Sequence, residues 1–198
     1  MTASGLRADA RRNRDQLVAA ALKLFLDEGI DVPLEEVARV AGVGIGTLYR
    51  RFPDRDALIR ATAYEALRQL AELAEAAWRE EPDAWHALAR FLRSCAELRL
   101  GALQAAVEPR LHAAIRTAPE LRDVRQVVVD LVAKMTMAAQ EEGALRRDVG
   151  PADVGLLMSL QVYAPPDLPR DQAMSRVVDI MLAGLRAETP PVSEARSR

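Results

Sequence analysis

Prolines divide this chain of 198 residues into stretches whose apolar residues recur with the period of an α-helix. Proline is tolerated in the first turn of a helix and disrupts the interior of one. The prolines that stand just before such a stretch are Pro53, Pro82, Pro109, Pro119, Pro151 and Pro169. Because the sequence shows no strand-like alternation of apolar and polar residues, the chain is predicted to be all-α.

The apolar spacing also gives the extent of the helices. The start with the most support is Thr117-Ala118-Pro119-Glu120, which has the form of a capping box, with a hydroxyl at the cap and a glutamate three residues later. The loop 164–169 and the tail 188–198 are expected to be irregular, and the tail to be disordered. The predicted helical segments are 11–27, 33–41, 53–80, 82–99, 102–117, 119–141, 151–163 and 170–187.

One segment, 124–140, is apolar around almost its whole circumference. A helix of this kind is usually buried on more than one side. In a chain of this size the second burying surface could belong to another subunit, and the last helix is broadly apolar as well. The chain is therefore expected to form a homodimer through the helices at about 119–141 and 170–187.

Composition excludes several classes of protein. The single cysteine, Cys95, permits no internal disulfide and fits a reducing compartment. The two histidines, His86 and His112, have no neighbours with metal-ligand spacing, so no metal site and no cofactor are expected. The N-terminus lacks a signal peptide and no apolar run is long enough to span a bilayer, which predicts a soluble cytoplasmic protein without a membrane partner.

The stretch GVGIGTLYRRF, residues 42–52, places three glycines directly before a helix-like run. Each glycine inside a helix costs about 1 kcal/mol relative to alanine. The longer segment LEEVARVAGVGIGTLYRRF has the spacing of a helix-turn-helix, in which Gly42 serves the turn and the second helix starts near Gly44. Gly44 and Gly46 leave the start of that helix bare, so its backbone could approach phosphate closely.

The segment from Arg12 to Leu58 resembles the DNA-binding domain of the TetR family of bacterial transcriptional regulators. The residues that carry the resemblance are AALKLFLDEGID and LEEVARVAGVGIGTLYRRFPDRDAL, with G-T-L-Y-x-x-F at their centre. The resemblance implies a three-helix helix-turn-helix head at residues 1–52. It also implies a larger helical body at 53–187 that binds a ligand and dimerises. Proteins of this kind are mostly repressors that leave a palindromic operator when a small molecule binds.

The resemblance also implies roles for single residues. Gly44, Ile45, Gly46 and Thr47 would begin the recognition helix in the major groove, and Tyr49 would contact a phosphate. Arg55 stands where a lysine of the family holds a phosphate, and Gly44 replaces a frequent serine, so that one hydroxyl contact is lost. The residues expected to contact DNA are Arg12, Gly44, Ile45, Gly46, Thr47, Tyr49, Arg50, Arg51 and Arg55.

An effector cavity is expected among the helices 53–80, 82–99 and 119–141, each of which offers an apolar stripe. Such a cavity would have few polar groups and would suit a small, mostly hydrophobic effector. The residues expected to line it are Leu67, Leu70, Trp78, Leu88, Phe91, Leu92, Cys95, Leu131 and Met135.

Two other readings remain open on the sequence alone. Helix-turn-helix shapes occur in proteins that bind no DNA, so the chain could be a helical adaptor with a degenerate head. It could also be a small all-helical enzyme, although no acid–base or nucleophilic constellation can be named and no catalytic residue is predicted.

Overall fold

A computed structural model describes residues 3–97, 109–158 and 167–187, and these residues are arranged in helices joined by short turns. Within them no strand occurs, apart from one isolated antiparallel bridge between Leu145 and Arg186. The all-α prediction is confirmed. The helices are α1 (Ala3–Glu28), α2 (Leu34–Val40), α3 (Ile45–Arg51), α4 (Arg55–Glu80), α5 (Ala84–Glu97), α6 (Pro109–Thr117), α7 (Arg122–Glu141), α8 (Pro151–Met158) and α9 (Arg170–Leu185), with a 3₁₀ turn at Pro119–Leu121 before α7.

Helix α1 begins eight residues before the predicted start at residue 11. The segment before residue 11 contains three alanines, which favour helix, but it has no apolar stripe to reveal the helix in the sequence pattern. Among the residues of α1 whose burial is described, the buried ones run from Leu17 to Phe25. Helix α1 packs against α2, α3 and α4, so the three-helix head closes on the start of the fourth helix.

Helix α2 ends in a Schellman motif, which sets the direction of α3. The amide of Val43 donates to the carbonyl of Ala38 at 3.0 Å, and the amide of Gly42 donates to that of Arg39 at 3.1 Å. Gly42 has φ +69°, a conformation that L-residues rarely adopt. The turn predicted at Gly42 is therefore present, and Gly44 is the N-cap of α3.

Helix α4 runs without interruption for 26 residues from the head into the body. It begins at Arg55 and not at Pro53, because the Asp54 carboxylate caps it by accepting from the amide of Ala57 at 2.6 Å. Its first turns pack against α1, and its later turns pack against α5, α6 and α7. Helix α5 likewise begins at Ala84, two residues after its proline, where Asp83 accepts from the amide of His86 at 2.8 Å.

The expected capping box at Thr117 is wrong. Thr117 ends α6, and its hydroxyl donates back to the carbonyl of Ala113 at 2.7 Å. The following 3₁₀ turn has Ala118 at its N-cap and no side-chain cap. Glu120 forms an ion pair with Arg60 of α4, with 3.4 Å between Oε1 and Nε. Because the Thr117 hydroxyl donates to a carbonyl one turn earlier in α6, it does not cap the following helix. Helix α6 therefore extends to Thr117 itself.

Helix α7 is buried on more than one side, but by helices of the same chain. It packs against α4, α5 and α8, and the fully buried Met135 faces that core. A second subunit is therefore not needed to explain its apolar circumference. Val129 and Met137, each 51% exposed, remain outside the core. The tail 188–198, residues 164–166 of the predicted loop, and the predicted helical residues 98–99, 102–108 and 159–163 lie outside the described residues.

The last helix is fastened to the turn after α7 by backbone hydrogen bonds. The amide of Arg146 donates to the carbonyl of Leu185 at 3.1 Å, and the amide of Ala187 donates to that of Ala144 at 3.0 Å. The guanidinium of Arg186 lies 5.0 Å from the centroid of the Trp85 ring on α5. These contacts hold the end of α9 against the body.

Candidate functional site

Helix α3 presents one face to the core of the head and the other to solvent. Leu48 is fully buried and Phe52 nearly so. With about 100° of rotation per residue, Arg50 lies in the middle of the opposite face, and Tyr49 and Arg51 lie on its two flanks. All three are exposed, as are Gly44, Ile45 and Gly46, while Thr47 is half-buried. The structure thus brings the predicted residues from 44 to 51 together on one surface.

The side chains of this surface are held in a defined arrangement. The Arg50 guanidinium donates through Nη2 to the hydroxyl of Thr47 at 2.9 Å. On α2, Arg39 donates twice to the carboxylate of Glu36, at 2.6 and 2.8 Å, and this hydrogen bonding lowers the pKa of Glu36. The charge of Arg39 is therefore matched within α2, whereas the guanidinium of Arg50 is bonded to a neutral hydroxyl.

The glycines at the start of α3 are not explained by packing within the chain. A Cβ atom built on Gly44 meets nothing within 4 Å among the described residues, and one on Gly46 meets only Nη1 of Arg50 at 3.7 Å. Gly44 has an ordinary φ of −72°. Neither glycine is needed for the backbone conformation or for packing among the described residues. What the two glycines do provide is backbone at the start of α3 that is exposed to solvent without side chains.

Two arginines of α1 differ in their relation to α3. Arg12, one of the predicted contacts, is exposed and pairs with Asp9 of the same helix at 3.0 Å. Arg14, which was not predicted, lies 5.9 Å from the centroid of the Phe52 ring at the end of α3. The signal for Arg14 was present in the sequence, since it belongs to the same basic run as Arg12, but only the fold shows that it reaches α3.

Arg55 does not resemble the other predicted contacts. Its side chain is half-buried, and Nη1 donates to two backbone carbonyls in the turn between α1 and α2. The acceptors are the carbonyl oxygens of Ile30 and Val32, the second at 2.8 Å. The guanidinium is thus engaged inside the head, which the sequence could not show because the partners are backbone atoms.

An apolar cavity of about 410 Å³ lies in the body between α4, α6, α7 and α8. Val129, which is 51% exposed, is among its lining residues, so the cavity opens to the surface on that side. Among the described residues that line it, none has a side chain with a charge or a hydrogen-bonding group. The lining residues are Leu67, Leu70, Ile115, Val128, Val129, Val132, Pro151, Ala152, Gly155 and Met158.

This cavity includes only part of the lining predicted from the sequence. Of the predicted lining residues, Leu67 and Leu70 face it. Leu88, Phe91, Leu92, Cys95 and Met135 instead fill the core between α4, α5 and α7. Trp78 and Leu131 are half-buried, and Lys134 lies 4.2 Å from the centroid of the Trp78 ring. Burial also raises the pKa of the Cys95 thiol. Apolar periodicity identifies a buried stripe but does not tell a packed stripe from one beside a gap.

Comparison with known families decides the class of the protein. A family model described as bacterial regulatory proteins of the tetR family matches residues 17–62. A second, described as the C-terminal domain of SbtR-like transcriptional regulators, matches residues 83–187, which is more than half of the chain. The chain belongs to the TetR family of bacterial transcriptional regulators. The exposed face of α3 is therefore part of a DNA-binding helix-turn-helix.

Solved structures of other TetR-family regulators share the architecture. A TetR regulator from Mycobacterium vanbaalenii is 31% identical, with 92% of this chain and 99% of that one covered and a TM-score of 0.64. One from Streptomyces coelicolor is 29% identical, with 89% and 99% covered and a TM-score of 0.62. An HTH-type regulator of Staphylococcus aureus is 41% identical over 54 residues, which is 27% of this chain and 29% of its own length.

Metal-binding clusters and membrane-spanning helices are both absent from the described residues. No group of histidine, cysteine, aspartate and glutamate in the described ranges could hold a metal ion. Within the same residues, no helix of this TetR-family protein is long and apolar enough to cross a membrane.

Proposed function

We propose that this TetR-family protein is a repressor that binds a palindromic operator as a homodimer and leaves it when a small apolar effector binds. The observation that carries the proposal is the exposed face of α3, where Arg50, Arg51 and Tyr49 surround the bare backbone at Gly46. Arginine and tyrosine side chains supply the phosphate and base-edge hydrogen bonds of protein–DNA interfaces. The absence of side chains at Gly44 and Gly46 leaves room for close approach to the duplex.

The roles of the exposed side chains follow from their places on the face. Arg50, in the middle, is proposed to reach base edges, with Thr47 holding its guanidinium in position. Tyr49 and Arg51, on the flanks, are proposed to contact phosphates, as is Arg12 on α1. Ile45 and Gly46 are proposed to lie against the floor of the major groove.

A gel-shift titration with DNA flanking the protein's own gene tests this proposal. Arg51→Met should weaken binding to all duplexes and flatten the plot of log affinity against log salt by about one unit per bound subunit. Arg50→Met should instead reduce the preference for the specific site. Arg79, an exposed arginine at the far end of α4, provides a control, since Arg79→Met should change neither. No shift at any salt concentration would refute the proposal.

The dimer is proposed to form through α9 together with α8 and the outer flank of α7. These helices carry the exposed apolar side chains Ile180 and Leu156, which are 61% and 67% exposed, and Met137. This differs from the expectation that α7 and α9 alone would form the interface, because most of the apolar surface of α7 is buried against α4, α5 and α8. Two recognition helices related by the two-fold axis would then meet successive major grooves, about 34–36 Å apart.

Sedimentation equilibrium tests the interface. Ile180→Glu should shift the protein towards monomer and weaken operator binding, because a charge would be buried at the two-fold axis. Tyr64, which is 47% exposed on α4, offers the matched control, and Tyr64→Glu should leave the dimer intact. A wild-type monomer at micromolar concentration would contradict the proposal.

The cavity between α4, α6, α7 and α8 is proposed to bind the effector. Its volume of about 410 Å³ falls in the range of small-molecule sites, and the lining residues that the structure describes offer apolar contacts and no charged side chain. The effector is therefore proposed to be a neutral, mostly hydrophobic compound. An effector releases DNA only if it binds the conformation that does not bind DNA more tightly, and the coupling is reciprocal.

Calorimetric titration of a candidate compound with and without operator DNA tests this role. An inducer must bind less tightly in the presence of operator, by the same factor by which it weakens operator binding. Equal affinities would exclude the compound as the inducer, however tight its binding.

A further inference from the structure

We infer that Arg55 is a positioning residue of the DNA-binding head, which fastens the turn between α1 and α2 to the first turn of α4, and that it is not a phosphate contact. This inference rests on the DNA-binding function proposed above. It concerns a different element, since the residues proposed to touch DNA lie on α3 and α1.

The contacts of Arg55 are those of an internal brace. One nitrogen, Nη1, donates to the carbonyl oxygens of both Ile30 and Val32. These carbonyls belong to the turn that reverses the chain between the two helices, where the side chains of Ile30 and Val32 are buried. Backbone carbonyls in such a place need a hydrogen-bond partner, and Arg55 supplies one to both.

The location of the brace matters for DNA binding. Val32 is followed by Pro33, the N-cap of α2, and α2 packs against α3. A bond from α4 to Val32 therefore fixes the point from which the helix-turn-helix starts. Without it, the turn before α2 would lose its two side-chain hydrogen bonds to α4, which continues into the body.

The contrast with Arg51 gives the inference its test. Arg51 is exposed at the end of α3, whereas Arg55 is half-buried and hydrogen-bonded to backbone. Both residues carry one positive charge, and they stand four residues apart in the sequence. Replacing either by methionine removes the charge and keeps the aliphatic stem, so the two variants separate loss of charge from loss of the brace.

The experiment uses the full-length protein and a duplex that the wild type recovers from a random-sequence pool, with a scrambled duplex as the non-specific probe. Arg55→Met should lower affinity for the selected duplex by about tenfold. It should leave affinity for the scrambled duplex and the slope of log affinity against log salt unchanged. Arg51→Met should lower both affinities and flatten the slope.

Hydrogen exchange in the free protein provides a readout that needs no DNA. The amides of α2 should exchange faster in Arg55→Met than in the wild type or in Arg51→Met, because the turn before α2 is released. A purely structural role would accelerate exchange without changing the ratio of specific to non-specific affinity.

Three results would overturn the inference: a flattened salt slope in Arg55→Met, an unchanged affinity ratio, or unchanged exchange in α2. If the wild type recovered no duplex from the pool, the proposed function would fail. The brace would then be judged by exchange alone, with equal rates in the two variants overturning it.

Discussion

Filling the cavity from Gly155 should stabilise the protein and close the proposed effector site in one step. Gly155 lies within α8 and lines the cavity, and a Cβ atom built on it meets nothing within 4 Å among the described residues. Gly155→Ala isolates the effect of helix propensity. Gly155→Leu adds a side chain at the lining that is long enough to cover the apolar residues beside it.

The two substitutions differ in their expected magnitudes. Replacing glycine by alanine inside a helix contributes about 1 kcal/mol to the free energy of unfolding. Full burial of a leucine side chain contributes about 1.5–3 kcal/mol, and the open side of the cavity reduces this, so we expect about 1 kcal/mol beyond alanine. For a chain of this size each kcal/mol raises Tm by about 2–4 °C, which predicts a rise of about 4–8 °C for Gly155→Leu.

Thermal unfolding followed by circular dichroism should give a Tm that rises from the wild type to Gly155→Ala and again to Gly155→Leu. In parallel, binding of a neutral apolar dye such as Nile red should be retained by Gly155→Ala and lost in Gly155→Leu, with operator binding unchanged in both. If the leucine variant were less stable than the alanine variant, or bound the dye as well as the wild type did, the cavity would not be open in solution and the reasoning would be wrong.

Three further predictions concern the head and the body. Gly42→Ala should lower the free energy of unfolding by about 1 kcal/mol in denaturant titrations, because φ at residue 42 is +69°; an unchanged value would contradict the turn geometry. Because burial raises the pKa of the Cys95 thiol, an alkylating reagent should modify it no faster than the protein unfolds, and rapid labelling would show that α5 is not packed as described. The pKa of Asp83 is lowered chiefly by the backbone hydrogen bond from His86 and also by the His86 side chain. The stability that Asp83 contributes is therefore present above the ordinary aspartate pKa and is lost as pH falls through the pKa of the folded state. Asp83→Asn should remove this part of the acid dependence of the free energy of unfolding, measured with denaturant, and an unchanged dependence would argue against the cap.

The sequence specified the helix-turn-helix well because its local chemistry determines it. The left-handed conformation in the turn at residue 42 favours glycine, and the buried positions of Leu48 and Phe52 fix which face of α3 points inward. Both signals act within a few residues, so the pattern alone contains them. The exposed residues from Gly44 to Arg51 follow from these two facts, which is why the structure places them on one surface as expected.

Features that depend on distant partners were not predicted. The brace from Arg55 ends on carbonyl oxygens, which leave no trace in side-chain patterns. Thr117 had the right spacing for a cap, but its hydroxyl had a second acceptor available at Ala113. The cavity lining at Ile115 and Gly155 arises because four helices leave a gap there, and periodicity reports burial without reporting gaps.

The unbroken course of α4 has a mechanical consequence. At about 1.5 Å per residue, its 26 residues form a rod about 39 Å long, with Leu67 and Leu70 near its middle. If the end near Glu80 acted as a pivot, a tilt of about 5° would carry Arg55 sideways by about 3 Å over that length. Ordinary N–H···O distances vary over only about 0.5 Å. The same tilt would move Leu67 and Leu70 by about half as much, so a displacement beside the cavity would be about doubled at the head, where it exceeds the range of ordinary hydrogen-bond lengths.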